Sequence, residues 1–131
     1  MTRRSLESLG TLQRAVMETV WKLGEATVHD VRDRLLRKEP LAYTTVLSAM
    51  QKLEKLGWLR HRRERRTYVY KATRTRKQAG AHSLRKFTRH VFGGNPLLLF
   101  ESLLEAEELS EQELAALRRQ IDAKRKELRD G

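Results

Sequence analysis

The chain has 131 residues, 39% of them hydrophobic and 34% charged, which is enough for one domain, or for one domain plus an oligomerisation segment. It contains no cysteine, which excludes disulfides, thiolate metal sites and cysteine catalysis. The net charge of +11 is unevenly placed: residues 1–94 hold 22 Lys and Arg against 8 Asp and Glu, whereas residues 95–131 hold 6 against 9. A front half this basic suits a polyanion, and the tail must serve some other purpose.

The opening Met1–Gly10 lacks the apolar stretch of a secretion signal. The longest apolar run, Leu97–Phe100, is far too short to span a bilayer. Both point to the cytoplasm, with no membrane partner. In chain order, Thr11 reads as the N-cap of a first helix with Leu12, Val16, Val20 and Leu23 on one stripe, widened by Met17 and Trp21 and ended by Gly24. Thr27 caps a second helix with Asp30 in its first turn, where a carboxylate suits the helix dipole. Val28, Val31 and Leu35 face inward there, and Arg32, Arg34, Arg37 and Lys38 face out. Pro40 breaks the chain before a third helix.

That third helix places Val46, Met50 and Leu53 at i, i+4 and i+7, an apolar stripe for a core. Thr44, Thr45, Ser48, Gln51, Lys52 and Lys55 fall on its other side. Hydroxyls, an amide and amines can read base edges or clamp phosphates in a major groove. Gly57 stands where a left-handed helix cap is wanted. Trp58–Arg62 and Thr67–Lys71 follow as two short β-prone runs, with Tyr68 and Tyr70 on one face, joined by the basic turn Arg63-Glu64-Arg65-Arg66. Helix plus basic hairpin is the signature of a winged helix–turn–helix.

A fourth helix is expected over Arg76–Phe92, with Ala79, Leu84, Phe87 and Val91 apolar and with Arg74, Arg76 and Lys77 extending the basic surface. Gly93-Gly94-Asn95-Pro96 breaks it, and Pro96 suits the first position of the next helix. Leu97–Ala106 is apolar nearly all round and needs a cover. Ser110 and Glu113 form a capping box for a last helix, whose Leu114, Leu117, Ile121 and Leu128 make a heptad-like seam interrupted by Lys124. Residues 95–131 cannot make a core alone, so Leu97, Phe100, Leu103, Leu104, Leu114, Leu117 and Ile121 are expected at a two-fold dimer seam rather than folded back on their own chain. The fold expected is mainly α with a small β-hairpin: a winged-helix DNA-binding domain at residues 1–75, then a helical dimerisation region at 76–131.

Leu12-Gln-Arg-Ala-Val-Met17, Trp21, Ala42-Tyr-Thr-Thr-Val-Leu47, Gly57-Trp-Leu59, Tyr70, Phe92-Gly-Gly94 and Leu109-Ser110 together resemble the penicillinase-repressor family (BlaI, MecI and CopY-like) over roughly residues 9–129. The resemblance implies a homodimeric bacterial repressor on operators with dyad symmetry. It puts recognition-helix contacts on Tyr43, Thr44, Thr45 and Ser48, and wing contacts near Arg62, Arg63, Arg65 and Arg66. Arg65 stands where family wings usually carry glycine, which leaves the tight turn an open expectation. The β-lactam-responsive members of the family are cut by a regulatory protease at an Asn-Phe bond; the matching pair here is Ser102-Leu103, so that partner and the inducing signal stay open. The cysteine-rich tail of copper-responsive members is lacking.

Lys52 and Lys55 suit phosphates better than bases. Tyr43 either stacks on a sugar or packs on the wing, and the sequence leaves both open. Tyr68 and Tyr70 are expected to pack the wing on the core. His29, His61, His82 and His90 are read as isolated, with no helical zinc spacing, so neither a metal nor a cofactor is expected. No nucleophile elbow, phosphate loop or paired-carboxylate motif occurs, and the chain is read as a non-enzyme. The reading is a dimeric, sequence-specific repressor on palindromic DNA. The alternative is an RNA-binding adaptor using the same basic face, against which stands the lack of an exposed aromatic platform. A sensor with a small molecule at the dimer interface is a third class, for which the sequence offers no polar pocket.

Overall fold

The computed structural model describes residues 5–37 and 40–131. The elements run Leu6–Ser8 (a 3-10 turn), α1 Thr11–Leu23, β1 Glu25–Ala26, α2 Val28–Leu35, α3 Tyr43–Lys55, β2 Leu59–Glu64, β3 Thr67–Ala72, α4 Arg76–Val91, α5 Pro96–Ala106 and α6 Glu111–Asp130. They form two compact units, Met1–Lys86 and Phe87–Gly131. The division falls inside α4, later than the boundary expected at residue 75. The first part of α4 stays with the head because Ala79 is buried in its core, and because Ser83 Oγ accepts from the Leu6 N–H at 3.2 Å.

The head is built as a small helical core with a sheet along its edge. Val16, Met17 and Val20 of α1, Val31 of α2, and Val46, Met50 and Leu53 of α3 are fully buried together, with Trp58, Leu59 and Tyr70 closing the core from the sheet side. Side chains of this size each stabilise the fold by about 1.5–3 kcal/mol when fully buried. Thr27 caps α2 as expected: its Oγ1 accepts from the Asp30 N–H at 3.1 Å, and Asp30 Oδ2 accepts from the Thr27 N–H at 3.0 Å. The cap of α1 is one residue earlier than expected. Gly10 holds that place and Gln13 Oε1 accepts its N–H, so Thr11 is the first helical residue. Arg32 does not simply face out, because its Nε donates to the Leu41 carbonyl and ties the end of α2 to the start of α3. Lys38 lies outside the described residues.

α3 ends in a full left-handed cap. The Trp58 N–H donates to the Leu53 carbonyl and the Gly57 N–H to that of Glu54, with Gly57 at φ 88°. This double bond pattern needs a residue tolerant of positive φ, which is the physical reason glycine stands there. It reverses the chain so that β2 starts beside the helix it has just left.

The sheet has three antiparallel strands in the order β1-β3-β2, where the sequence led us to expect only two. β1 is too short to carry a periodic signal; its Glu25 and Ala26 pair with Lys71 and Tyr70. Trp58 precedes β2 instead of opening it, and β3 runs one residue further than expected, to Ala72. The hairpin register pairs Glu64 with Thr67, so the connection is the two residues Arg65-Arg66 and not the four expected. Arg65 supplies the left-handed residue itself, at φ 59°.

In the second unit, Asn95 Oδ1 accepts from the N–H groups of Leu97 and Leu98, and Pro96 is the first residue of α5. Ser110 and Glu113 form the expected capping box on α6. Leu99 is the buried side chain of this unit, whereas Leu97, Leu98, Phe100, Leu103 and Leu104 are exposed in the single chain. α6 has 20 residues and buries none of them.

Candidate nucleic-acid interface

Tyr43, Thr44, Thr45, Ser48, Gln51, Lys52 and Lys55 are all exposed along one side of α3, while Val46, Met50 and Leu53 fix the opposite side in the core. The helix is held at its start by α2 and at its end by the Gly57 reversal, so its polar side is presented as a rigid row. The Tyr43 ring packs on His29 of α2, with centroids 4.7 Å apart.

The wing places its side chains on two faces by strand alternation. His61, Arg63, Tyr68 and Tyr70 share the face toward α3, since His61 pairs with Tyr70 and Arg63 with Tyr68. Arg60, Arg62 and Val69 lie on the other. The expectation that both tyrosines pack the wing on the core therefore holds for Tyr70 alone: it is 2% exposed and Tyr68 is 47% exposed. Burial, and then the Glu54 carboxylate, push the Tyr70 hydroxyl above its usual range, so it stays protonated.

Arg62 is occupied. Its guanidinium donates to Glu25 Oε2 at 3.0 Å and to Glu64 Oε2 at 2.9 Å, a link from β2 to β1 and along the wing. The Arg62 bond holds the Glu25 carboxyl below the ordinary glutamate value, and Glu25 with Glu64 raises Arg62 in turn. Arg63 donates from Nε to the Arg65 carbonyl at 3.0 Å, which braces the tip. Arg65 and Arg66 form the exposed tip itself.

Two arginines expected on the basic surface stack instead on tryptophans. The Arg74 guanidinium lies 4.9 Å from the Trp58 ring and that of Arg76 lies 5.6 Å from Trp21, with Arg76 also 2.9 Å from Glu18. The two indoles meet edge to face at 6.3 Å, and Trp21 Nε1 donates to the Arg74 carbonyl at 2.8 Å. Cation attraction to an indole face explains the placement, which no spacing rule on the sequence displays.

Sequence reasoning missed His61. It is not isolated: Nδ1 lies 2.7 Å from Glu54 Oε1 and 2.9 Å from Oε2, and the ring lies between Tyr68 and Tyr70, at 4.6 and 5.3 Å. It lines a groove between α3 and the wing together with Ser48, Gln51, Lys52, Lys55 and Tyr68. Its place in a hairpin whose second strand carries two tyrosines was the available clue. Among the described residues no group of three His, Cys, Asp or Glu could hold a metal, and no helix is long and apolar enough to cross a membrane.

The family described as penicillinase repressor matches residues 9–123. The chain belongs to that family. It is similar to the transcriptional regulator BlaI of Mycobacterium tuberculosis, at 39% identity over 66 residues covering 50% of this chain and 48% of that protein. The chain thus spans about half the length of the BlaI relatives it matches. It is also 27% identical over 109 residues to an uncharacterized 16.5 kDa protein of Latilactobacillus sakei, covering 83% of this chain and 75% of that one. Among solved structures, the DNA-binding domain of the repressor BlaI aligns with a TM-score of 0.50 at 21% identity, over 57% of this chain and 90% of that domain. This last likeness establishes the winged-helix fold.

Proposed function

We propose that the chain is a DNA-binding transcriptional repressor that acts as a homodimer in the cytoplasm on operators with dyad symmetry. The observation that carries this reading is the juxtaposition of an exposed polar row on α3 with an arginine-tipped wing, in a chain of the penicillinase-repressor family. Thr44, Thr45 and Ser48, with Tyr43 at the helix start, would face base edges, while Lys52, Arg63, Arg65 and Arg66 would take phosphates. Arg62 would act through the wing it braces.

The second unit supports the dimer. Leu97, Phe100, Leu103 and Leu104 on α5 and Leu114, Leu117 and Ile121 on α6 are between 38% and 66% exposed in the single chain. An α6 that buries none of its residues gains little from its own chain, and packing of an apolar face supplies most helix stability in proteins. Joining two chains here would set two heads on one duplex about 34–36 Å apart, one turn per half-site. Ser102 and Leu103 lie within α5, where Ser102 Oγ donates to the Leu98 carbonyl, so cleavage by a regulatory protease would require that helix to open.

The test is to capture genomic fragments on the purified protein, sequence them, and repeat the capture with structured RNA as competitor. A recurrent palindrome that survives the competitor is expected. Fragments sharing no motif, or displacement by RNA, would overturn the reading.

A further inference from the structure

We infer that the groove between α3 and the wing is a phosphodiester site in which His61 binds the DNA backbone as an imidazolium, so that DNA binding takes up a proton. The inference rests on the DNA-binding reading above and extends it to a residue and a protonation step. With α3 in a major groove and the wing tip on the phosphates beside it, the strand bordering that groove passes over the cleft between α3 and the wing. That groove carries Lys52 and Lys55 on the α3 side, and His61 and Tyr68 on the wing side.

Its acid is Glu54, which would repel a phosphate if it stood alone. His61 Nδ1 lies within hydrogen-bond distance of both Glu54 oxygens, and an ionised carboxylate only accepts, so the Nδ1 proton is fixed toward Glu54. The second ring nitrogen, Nε2, then decides the outcome. In the neutral ring it is an acceptor and opposes a phosphate; in the imidazolium it is a donor and binds one. The side chain is 35% exposed, so a phosphate can reach it.

The charged and titratable groups around it are Glu54, Lys52 and Lys55 on α3, Arg63 on β2, and Tyr68 and Tyr70 on β3. A bound phosphate adds a second anion to this set and favours the protonated ring. Each chain whose ring is neutral before binding takes up a proton with the phosphate, which makes affinity rise as pH falls. The other histidines are outside this groove.

The experiment measures binding of the full chain to short labelled duplexes of scrambled sequence, at constant ionic strength, from about pH 6 to about pH 8. Wild type should lose affinity with rising pH, by up to about tenfold per unit for one proton per bound head. His61→Gln should bind with a slope flatter by about one proton, and Glu54→Gln should bind more tightly at the alkaline end, where the neutral ring no longer offsets the carboxylate. The His61 ring protons, followed by NMR in wild type with and without duplex, should titrate at higher pH in the complex. A His61→Gln protein that binds DNA with the wild-type slope, or a His61 titration unmoved by duplex, overturns the proposal. Failure of wild type to bind duplex at any pH overturns the DNA-binding reading instead.

Discussion

Arg62 of β2 reaches across the sheet to Glu25 of β1, Nη2 to Oε2 at 3.0 Å, and the same guanidinium nitrogen holds Glu64 at 2.9 Å. One of the wing arginines is thus committed within the protein. It supports a wing that carries Arg65 and Arg66 at its tip, and it adds to the pairing with β3 and the burial of Ala26 that hold the two-residue β1.

The titration of this pair has a definite sign. Glu25 is held below its ordinary value in the folded chain, chiefly by the hydrogen bond from Arg62, so the pair's contribution is present above the unfolded glutamate value and is lost as pH falls through the folded one. Carboxyl NMR should show Glu25 titrating below an ordinary glutamate, and Arg62→Gln should return it upward. A Glu25 titration indifferent to that substitution would show that the pair does not persist in solution.

A contrast within the wing follows. Arg66→Ala should weaken operator and random DNA alike and reduce the steepness of log K against log salt by about 0.9 per bound head, the release expected for one phosphate contact. Arg62→Gln should leave that slope nearer to wild type, since its charge is already matched by two carboxylates. Equal loss of slope in both variants would put Arg62 on the backbone after all.

Arg65 adopts φ 59° in a two-residue connection, a conformation that L side chains other than Asn and Asp rarely hold. Arg65→Gly should therefore stabilise the head by about 1 kcal/mol in a urea melt. It should also weaken DNA binding, because a tip charge goes with the strain. A variant that melts earlier than wild type would show that the Arg65 side chain contributes more to the fold than the strain costs.

These positions also show what the sequence could and could not display. Val46, Met50 and Leu53 were legible because a helical stripe is a period, and Thr27 with Asp30 because a capping box is a fixed spacing. β1 was not, since two residues have no period, and its existence depends on pairing with Tyr70 and Lys71, far along the chain. The commitment of Arg62, Arg74 and Arg76 to Glu25, Trp58 and Trp21 was hidden for the same reason: a count of basic residues fixes the charge of a region but not which charges are already spent. His61 passed as isolated because its partners, Glu54 and the two tyrosines, converge only when the hairpin folds back on α3.

On α3, Thr45→Ala should lower the preference for operator over scrambled duplex by roughly 1 kcal/mol, at the low end of a base-reading contact, while leaving binding to scrambled duplex unchanged. Thr45 is exposed and its backbone N–H donates to the Ala42 carbonyl, so the fold should not respond. Competition titration against both duplexes checks it. Parallel loss on both would move Thr45 from the bases to the backbone.

The largest effect is expected where nothing touches DNA. The second unit leaves nine large apolar side chains of α5 and α6 open, and each would contribute about 1.5–3 kcal/mol if fully covered. Sedimentation equilibrium should find the full chain dimeric and a chain ending at Gly94 monomeric. Ile121→Asp should dissociate the full chain while preserving α6, because Ile121 is 59% exposed in the single chain and gives up no internal contact of consequence. Both altered proteins should still bind a half-site and lose the tight binding that a palindrome gives two linked heads. If the chain ending at Gly94 sediments as a dimer, the seam lies in the head, and the exposed leucines of α5 and α6 need another cover.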